Sequence, residues 1–260
     1  MKKILIVFLF LNLFAFENPK IENLMGGDKF KTYNQLLEKI FIKDKYSIEE
    51  ILSILKNNGL LDLFFKEPQL IHTKFIFING KKVLDTKVLN DALTSLGYYY
   101  FYPSEIINNN SIFTLNMEFK SEHYIDPVSL INEMKSRGCN IIDVSRENDD
   151  FSYKFDCNEA KIKEAQILQN ENIRYINASG VYWLENNNSN KINIITKKID
   201  YWHPSVWFYD DKLNILNNVK IDKKTINITL DIPAGCKYIK ITDIYSGENF
   251  KRGIIVKGLK

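Results

Sequence analysis

Three cysteines have spacing that bears on covalent chemistry: Cys139, Cys157 and Cys236. The first two flank a predicted hairpin whose tip spans residues 146–150. Counting outward from that tip gives the expected strand partners: Ile141 with Phe155, Asp143 with Tyr153, and Cys139 with Cys157. Directly opposed positions on adjacent strands lie within disulfide range. We therefore predict a Cys139–Cys157 disulfide, with a pair of buried thiols as the alternative, and an unpaired Cys236.

Cys236 is the remaining candidate for nucleophilic chemistry. Peptidoglycan transpeptidases carry a Gly-Cys pair that follows a His, whereas Gly235 and Cys236 follow Pro233 and Ala234, and the downstream Arg of such sites is absent. A reactive thiolate also needs a neighbouring base or positive charge, and Lys237 alone is adjacent. The sequence therefore favours a cysteine in a turn, packed against the domain, and predicts no catalytic residue.

The densest aromatic segment is the candidate binding patch, and its members are Tyr201, Trp202, His203, Trp207 and Tyr209. Exposed rings on a β-sheet can stack on sugar rings or anchor a protein partner. Because side chains alternate along a strand, Trp207 and Tyr209 are expected to point away from the neighbouring Val206 and Phe208. One of these two pairs is expected in the core. The alternative for the whole segment is that most of its side chains pack inside the domain and form no binding patch.

Asn187 is a candidate glycosylation site. Glu185 precedes it by two residues and Ser189 follows by two, which matches the acidic sequon of bacterial N-glycosylation. The loop of polar residues around it satisfies the requirement for an exposed acceptor in an exported protein. Such a modification would decorate the protein and would not define its activity.

Metal and cofactor sites are not predicted. His72, His123 and His203 are far apart, with no His or Cys pairs at metal-ligand spacing, so any metal site would have to be assembled by the fold. The chain contains no phosphate-binding loop, no dinucleotide-binding glycine pattern and no serine nucleophile elbow. We therefore expect no cofactor and favour a protein that is not an enzyme.

The first residues predict export. Lys2 and Lys3 precede an apolar run over residues 4–14, and charged residues resume at Glu17. This is the pattern of a secretory signal peptide, assigned to residues 1–15, and the run is shorter than the roughly 20 residues that span a bilayer. We expect a periplasmic protein with no membrane span after signal cleavage; the alternative is a buried N-terminal helix.

The charge balance argues against two classes of partner. Without Lys2 and Lys3, 33 basic residues face 32 acidic residues, so the mature chain is nearly neutral. A neutral chain has no electrostatic basis for binding nucleic acid or an anionic membrane. Lys, Asn and Ile are abundant, which is typical of an AT-rich bacterial genome.

Three regions follow the signal peptide. Residues 16–65 show helical spacing, with Ser47 and Glu50 forming a predicted capping box. Residues 66–160 predict an α+β domain built from βαβ-type units, with a mixed sheet and helices on one face. Asp126 and Pro127 begin the second of its helices as N-cap and first-turn residues.

Residues 161–260 predict an all-β sandwich, immunoglobulin-like or jelly-roll in type. Short segments with alternating apolar residues are separated by Asn, Asp, Gly and Lys, and they are 180–184, 192–195, 205–209, 213–216, 226–232, 238–242 and 253–256. Residues 226–232 alternate strictly, as a strand with one buried face requires.

These features favour a non-catalytic binding or scaffold protein of the cell envelope that associates with an envelope protein. A carbohydrate- or peptidoglycan-binding module that uses the aromatic segment is the alternative. An enzyme that acts on the cell wall is a third class, in which Cys236 or a carboxylate would be the working group.

Overall fold

The computed structural model describes residues 16–109, 112–147, 150–177 and 179–260. The predicted signal peptide, residues 1–15, lies outside the described residues. In the described ranges the helices are α1 (Pro19–Met25), α2 (Gly27–Thr32), α3 (Asn34–Ile40), α4 (Ile48–Asn57), α5 (Lys82–Ser95) and α6 (Pro127–Ser136), with a 3₁₀ turn at Gly247–Asn249. None of these helices has the length and apolar character needed to cross a membrane.

The strands of the first sheet are β1 (Phe64–Ile78), β2 (Phe101–Asn109), β3 (Ile112–His123), β4 (Asn140–Glu147) and β5 (Asp150–Asp156). The remaining strands are β6 (Gln166–Ile167), β7 (Ile173–Tyr175), β8 (Tyr182–Glu185), β9 (Lys191–Ile195), β10 (Pro204–Tyr209), β11 (Ile215–Lys220), β12 (Asn227–Asp231), β13 (Tyr238–Asp243) and β14 (Ile254–Leu259). All seven strands predicted after residue 160 have counterparts here.

The helical N-terminal segment begins and ends largely where its capping signals indicate. The Ser47 hydroxyl accepts a hydrogen bond from the Glu50 backbone N–H, and the Glu50 carboxylate accepts one from the Ser47 N–H, so the predicted capping box is present. Asp126 is the N-cap of α6, and its carboxylate accepts a hydrogen bond from the Val128 N–H. One boundary differs: β1 begins at Phe64, inside the segment predicted as helical.

The first sheet is mixed, with the strand order β2-β3-β1-β5-β4. β1 is antiparallel to β3 and parallel to β5, and the other neighbouring pairs are antiparallel. Because β3 lies between β1 and β2, the β1–α5–β2 connection is a split βαβ unit. The predicted mixed sheet is thus present, with its strands interleaved.

One face of this sheet is apolar and the other is polar. Along β1, Phe75 and Phe77 are buried, whereas His72 and Lys74, at alternate positions before them, lie on the opposite face. The apolar faces of β1, β3, β4 and β5 share one hydrophobic cluster with α4, α5 and α6. Period-two alternation therefore directs the polar side chains to a face that these helices do not cover.

The two edges of this sheet differ. At the β4 edge, the Asn23 amide of α1 donates to the Arg146 carbonyl and accepts from the Arg146 N–H, both at 2.8 Å. Lys20 also donates to the Val144 carbonyl at 3.0 Å. Side chains of α1 thus satisfy backbone groups that an edge strand would otherwise expose. At the other edge, β2 pairs with β3 on one side and with no other described strand.

Two further sheets follow, with strand orders β11-β10-β13-β8-β6 and β12-β9-β14-β7. Their inward side chains meet in a second hydrophobic cluster, which contains Leu184, Phe208 and Ile239 from one sheet and Ile194 and Val256 from the other. A mixed α+β fold is confirmed. The division of the chain at residue 160, and the sandwich type of its last part, remain predictions.

Residues after 160 also contact the first hydrophobic cluster. Leu213 and Tyr238 belong to it. Lys81 forms an ion pair with Asp211 at 2.7 Å, and the Lys87 ammonium lies 4.8 Å from the Trp183 ring centroid. The two parts of the chain are therefore joined by apolar and charged contacts.

The predicted disulfide is confirmed. Cys139 and Cys157 are bonded, with their Cα atoms 4.2 Å apart, and both are fully buried at the open end of the β4–β5 hairpin. Ile141 faces Phe155 as predicted. The predicted pairing of Asp143 with Tyr153 is wrong: a register shift between Ile141 and Asp143 places Asp143 opposite Lys154.

Candidate functional site

The aromatic segment does not present its five side chains on one surface. Trp202 is fully buried, its Nε1 donates to the Thr242 carbonyl at 2.9 Å, and its ring stacks on Phe250 with centroids 5.6 Å apart. A buried indole whose N–H is satisfied within the protein is a core residue. The expectation that Trp202 belongs to a surface patch is therefore corrected.

Trp207 and Tyr209 lie on the outer face of their sheet, opposite the buried Val206 and Phe208, as the alternation predicts. Trp207 is partly exposed, and the Lys220 ammonium lies 5.2 Å from its ring centroid. Tyr209 differs, because it packs against Trp183 beside the first hydrophobic cluster. Trp207 is thus the ring of this strand that remains available for stacking.

Tyr201 and His203, on either side of Trp202, have separate environments. Tyr201 is exposed, with the Lys224 ammonium 4.0 Å from its ring centroid. His203 packs edge-on against Tyr245, and its Nδ1 lies 3.8 Å from an Asp243 carboxylate oxygen. Each of these two side chains therefore has a contact partner of its own, Lys224 for Tyr201 and Tyr245 for His203.

The predicted glycosylation loop is ordered by its own side chains. Asn187 is exposed, but the neighbouring Asn186 amide donates to the carbonyls of Ser189 and Cys236 at 3.3 and 3.2 Å. Ser189 is buried, and a Cβ on Gly258 would lie 2.3 Å from its hydroxyl oxygen. The loop therefore presents the acceptor Asn187 while enclosing the sequon hydroxyl; modification of Asn187 stays a prediction.

Cys236 has the properties of a structural thiol. Its side chain is buried beside the second hydrophobic cluster, and its Sγ lies 3.4 Å from the Tyr238 carbonyl oxygen. Burial raises the pKa of this thiol to about 11, so it stays protonated near neutral pH. A protonated, buried thiol is a poor nucleophile.

The three histidines remain apart. The Nδ1 atom of His123 shares a hydrogen bond of 2.9 Å with the Tyr98 hydroxyl. His72 lies beside Glu118, with its Nδ1 3.4 Å from the carboxylate. Within the described ranges, no group of three or more His, Cys, Asp or Glu side chains has an arrangement that could hold a metal ion. His72 instead lines a polar depression that sequence spacing did not predict.

This site is a depression of about 390 Å³ on the polar face of the first sheet, here called the sheet depression. Two rows of side chains cross the strands there, as the strand register requires. The first row is Tyr102, Glu118, His72, Asp150 and Glu147, and the second is Glu105, Asn116, Lys74, Ser152 and Ser145.

Hydrogen bonds link the members of the first row. The Tyr102 hydroxyl donates to Glu118 at 2.6 Å, and this bond lowers the pKa of Glu118. The same carboxylate lies beside His72. The His72 backbone N–H reaches Asp150 at 3.4 Å. Glu118 is therefore charged and fixes the positions of two ring side chains.

The second row supplies polar groups to the floor. The Asn116 amide donates to Glu105 at 2.6 Å, and the Lys74 ammonium lies 3.6 Å from Glu147 of the first row. The Ser152 side chain is largely buried and lines the depression. The floor of the depression is therefore formed by polar side chains of neighbouring strands.

Sequence reasoning missed the sheet depression, although part of its signal was present. The apolar alternation from Phe113 to Phe119 predicted β3 correctly, and the residues between them, Asn116 and Glu118, had to face the other way. The alternation did not indicate which strands would lie on either side of β3.

A second feature outside the predictions is the open edge, defined as the unpaired side of β2 with its Ile106 and with Tyr99 and Tyr100, which directly precede the strand. Tyr100 is 92 % exposed and Ile106 is 60 % exposed. Large apolar side chains beside an unpaired strand are unusual on the surface of a monomer, because the strand can pair with another chain.

No protein-family model and no curated protein matches this chain. Among solved structures, the secreted serine protease VesC from Vibrio cholerae is similar over 74 % of this chain and 47 % of that chain, with 9 % identity and a TM-score of 0.24. The chain thus spans about half the length of that structure, and a likeness of this size carries no argument about fold or activity.

Proposed function

We propose that this chain is a non-catalytic binding or scaffold protein of the bacterial cell envelope, exported to the periplasm. The signal-like sequence of residues 1–15 supports export, and the Cys139–Cys157 disulfide is compatible with an oxidising compartment. The buried, protonated Cys236 argues against the nucleophile that the sequence singled out.

The observation that carries the proposal is the contrast between the two edges of the first sheet. Asn23 and Lys20 occupy backbone groups of β4, whereas β2 keeps an unpaired edge flanked by Tyr100 and Ile106. Proteins commonly protect sheet edges with lysine, proline, bulges or covering elements. β2 has Pro103 and a bulge but no lysine, so the rest of its edge can accept another strand.

The occupant that fits this edge is an extended segment of an envelope protein. Main-chain hydrogen bonds to β2 would supply affinity, and apolar side chains of the segment would contact Tyr100 and Ile106. Tyrosine is enriched among the residues that dominate protein interfaces. Glu105 is the charged side chain of β2, so the contact would be mainly apolar.

In-cell crosslinking tests this proposal. A photo-crosslinking residue at position 100 of the epitope-tagged protein should capture a discrete envelope protein, and the Tyr100→Lys/Ile106→Lys variant should abolish its recovery by affinity purification. The matched control is Ile42→Lys/Ile199→Lys, at two exposed positions far from β2 in sequence. Equal capture by both variants, or no captured protein, would overturn the assignment of this edge.

Glycan binding is the second candidate, and the partly exposed Trp207 ring favours it. Trp207→Ala should then reduce sedimentation of the protein with purified sacculi, while its melting temperature stays unchanged. Trp202 cannot serve in this test, because it lies in the core. Unchanged sedimentation of Trp207→Ala would remove this candidate.

We also propose that residues 161–260 form a β-sandwich domain of immunoglobulin-like or jelly-roll type. The shared hydrophobic cluster of the last two sheets supports this. The contacts of Leu213 and Tyr238 with the first cluster imply that this domain is docked, and limited proteolysis near residue 160 would test its independence.

A further inference from the structure

We propose that the turn after β1 modifies itself: the Gly80 backbone nitrogen attacks the side-chain amide of Asn79, and the Asp85 carboxylate accepts the proton that Gly80 loses. The product is an aspartate or isoaspartate at position 79. The reaction takes place at the connection between β1 and α5, and it does not depend on either of the proposed binding functions.

The reaction needs water and no other reagent. A bond forms between the Gly80 nitrogen and the Asn79 Cγ, the bond from Cγ to Nδ2 breaks, and ammonia leaves with the proton that Gly80 lost. Water then opens the five-membered imide at one of its two carbonyl groups, which gives the aspartate or the isoaspartate. The nucleophile and the amide belong to adjacent residues, so the ring closes within the chain.

The two reacting groups lie in an exposed turn that holds neither of them. Asn79 and Gly80 are both exposed, and neither the Asn79 amide nor the Gly80 N–H forms a hydrogen bond with a described residue. The backbone of Asn79 has a φ of 55°, in the left-handed region that residues other than glycine adopt uncommonly. The turn can therefore move towards ring closure without the loss of a hydrogen bond.

Asp85 supplies a base beside the nucleophile. Both of its carboxylate oxygens are buried without a hydrogen-bond partner, and a Cβ on Gly80 would lie 2.0 Å from one of them. The carboxylate thus lies against the Gly80 backbone, where only glycine fits, and glycine is also the residue that least hinders attack by its own nitrogen. Burial raises the pKa of Asp85 to about 6, so this group is ionised in mildly alkaline solution and can accept a proton. Lys81 is the charged side chain that acts on this carboxylate, and Lys81 itself pairs with Asp211.

The chain contains a second Asn-Gly pair, Asn58 and Gly59, whose surroundings are the opposite. At the end of α4, the Asn58 amide donates to the Ile54 carbonyl at 2.9 Å, and the Gly59 N–H donates to the Lys56 carbonyl at 3.0 Å. Both reacting groups are therefore held in the helix cap, and a Cβ on Gly59 would meet no atom within 4 Å, so no carboxylate lies against this glycine. Two pairs of identical sequence should thus react at different rates in the folded protein.

Peptide mapping by mass spectrometry tests the proposal on the mature protein, kept in mildly alkaline buffer and sampled over time. We expect conversion at position 79 to be about tenfold faster than at position 58, because two hydrogen bonds must break before Asn58 can react. In concentrated urea both pairs lose their surroundings, so the two rates should become equal. Methylation by a protein-isoaspartate methyltransferase identifies the isoaspartate product.

Variants test the role of Asp85. Asp85→Asn keeps the shape of the side chain without the base, so it should slow conversion at position 79 by about tenfold or more and leave position 58 unchanged. Asp231→Asn, at an exposed carboxylate of β12, is the matched control and should keep both parent rates. In the parent protein, the ratio of the two rates should rise as Asp85 ionises, through about pH 6, and then stay constant.

The overturning results are distinct. No conversion at position 79, or equal rates at positions 79 and 58 in the folded protein, would refute the modification site. An undiminished rate in Asp85→Asn, or a rate ratio that does not change with pH, would refute the role of Asp85 as the base. Circular dichroism on each variant confirms that the fold is retained, and none of these outcomes depends on the open edge.

Discussion

Arg137 and Glu164, 27 residues apart, form a two-pronged ion pair in which Nη2 and Nη1 lie 2.7 and 2.9 Å from the two carboxylate oxygens. The guanidinium is almost fully buried and also reaches Glu133 at 2.9 Å and the Ser95 hydroxyl at 3.1 Å. It therefore ties the ends of α5 and α6 to the chain that leads into the later sheets.

Removal of Arg137 should be strongly destabilising. Arg137→Ala removes a buried network of charged hydrogen bonds, but Glu133 keeps Lys163 and Glu164 is half exposed, so the expected loss in the free energy of unfolding is about 2–3 kcal/mol. Arg137→Lys keeps the charge without the planar fork and should lose less. Urea denaturation measures both. Lys251→Ala breaks the exposed pair with Glu248 and should cost under about 1 kcal/mol, so similar losses would contradict this role of Arg137.

Asp85 should make stability depend on pH. Both carboxylate oxygens are buried without a hydrogen-bond partner, and Gly80 packs so closely that a Cβ there would lie 2.0 Å from one of them. Burial raises the pKa of Asp85 from 3.8 to about 6, and the nearby Lys81 opposes this rise only in part. The folded state therefore binds the proton more tightly than the unfolded state does.

The stability that protonated Asp85 contributes is full below pH 4 and is lost as pH rises through 6. The shift corresponds to roughly 3 kcal/mol at neutral pH. Between pH 4 and 7, the free energy of unfolding of Asp85→Asn should rise relative to that of the parent protein by about this amount. Urea denaturation at a series of pH values measures the difference. Asp231→Asn, at an exposed position, is the control and should follow the parent curve. Parallel curves for Asp85→Asn would refute the prediction.

The disulfide should stabilise the fold chiefly by restricting the unfolded chain. For a separation of 18 residues, the Cys139→Ala/Cys157→Ala variant should lose about 3 kcal/mol of unfolding free energy. Dithiothreitol should lower the stability of the parent protein and of Cys236→Ala, and leave the double variant unchanged. A double variant that remains sensitive to the reductant would contradict this.

Trp202 and Trp207 should differ in a stability measurement. Trp202→Ala creates a cavity beside Phe250 and should cost about 3–5 kcal/mol. Trp207→Ala removes a partly exposed ring and should cost no more than about 1.5 kcal/mol. Thermal denaturation compares the two directly, and equal losses would place Trp207 in the core as well.

Glycosylation at Asn187 should depend on whether the loop has folded. Because Ser189 is buried against Gly258, a bacterial oligosaccharyltransferase should modify a peptide of residues 183–191 faster than the folded protein. Mass spectrometry of both substrates measures this, with Asn187→Gln as the unreactive control. Equal rates would show that the loop opens readily.

Local patterns predicted the features that local physics decides. Ser47 and Glu50 cap a helix three residues apart, and Cys139 and Cys157 close one hairpin, so their relationships need no distant element. The position of Trp202 was not predictable in this way, because Phe250, 48 residues later, completes its environment.

Prediction of the sheet depression would have required the order of the strands in the sheet. His72 and Glu118 meet because β3 pairs with β1, and Tyr102 joins them because β2 pairs with β3. Alternation showed that these residues face away from the core, but any strand order would have satisfied that pattern. The register shift near Ile141 was not predictable either, because a shift of one residue does not change which residue types the strand contains.

The closed β4 edge sets how many neighbours this sheet can accept. Asn23 already takes the place of a strand along Arg146, so a molecule that adds a strand at β2 has no complementary end left for the next molecule. The first sheet can then accept one added strand, at β2. Association through this sheet would stop at a one-to-one complex and would not propagate into a filament.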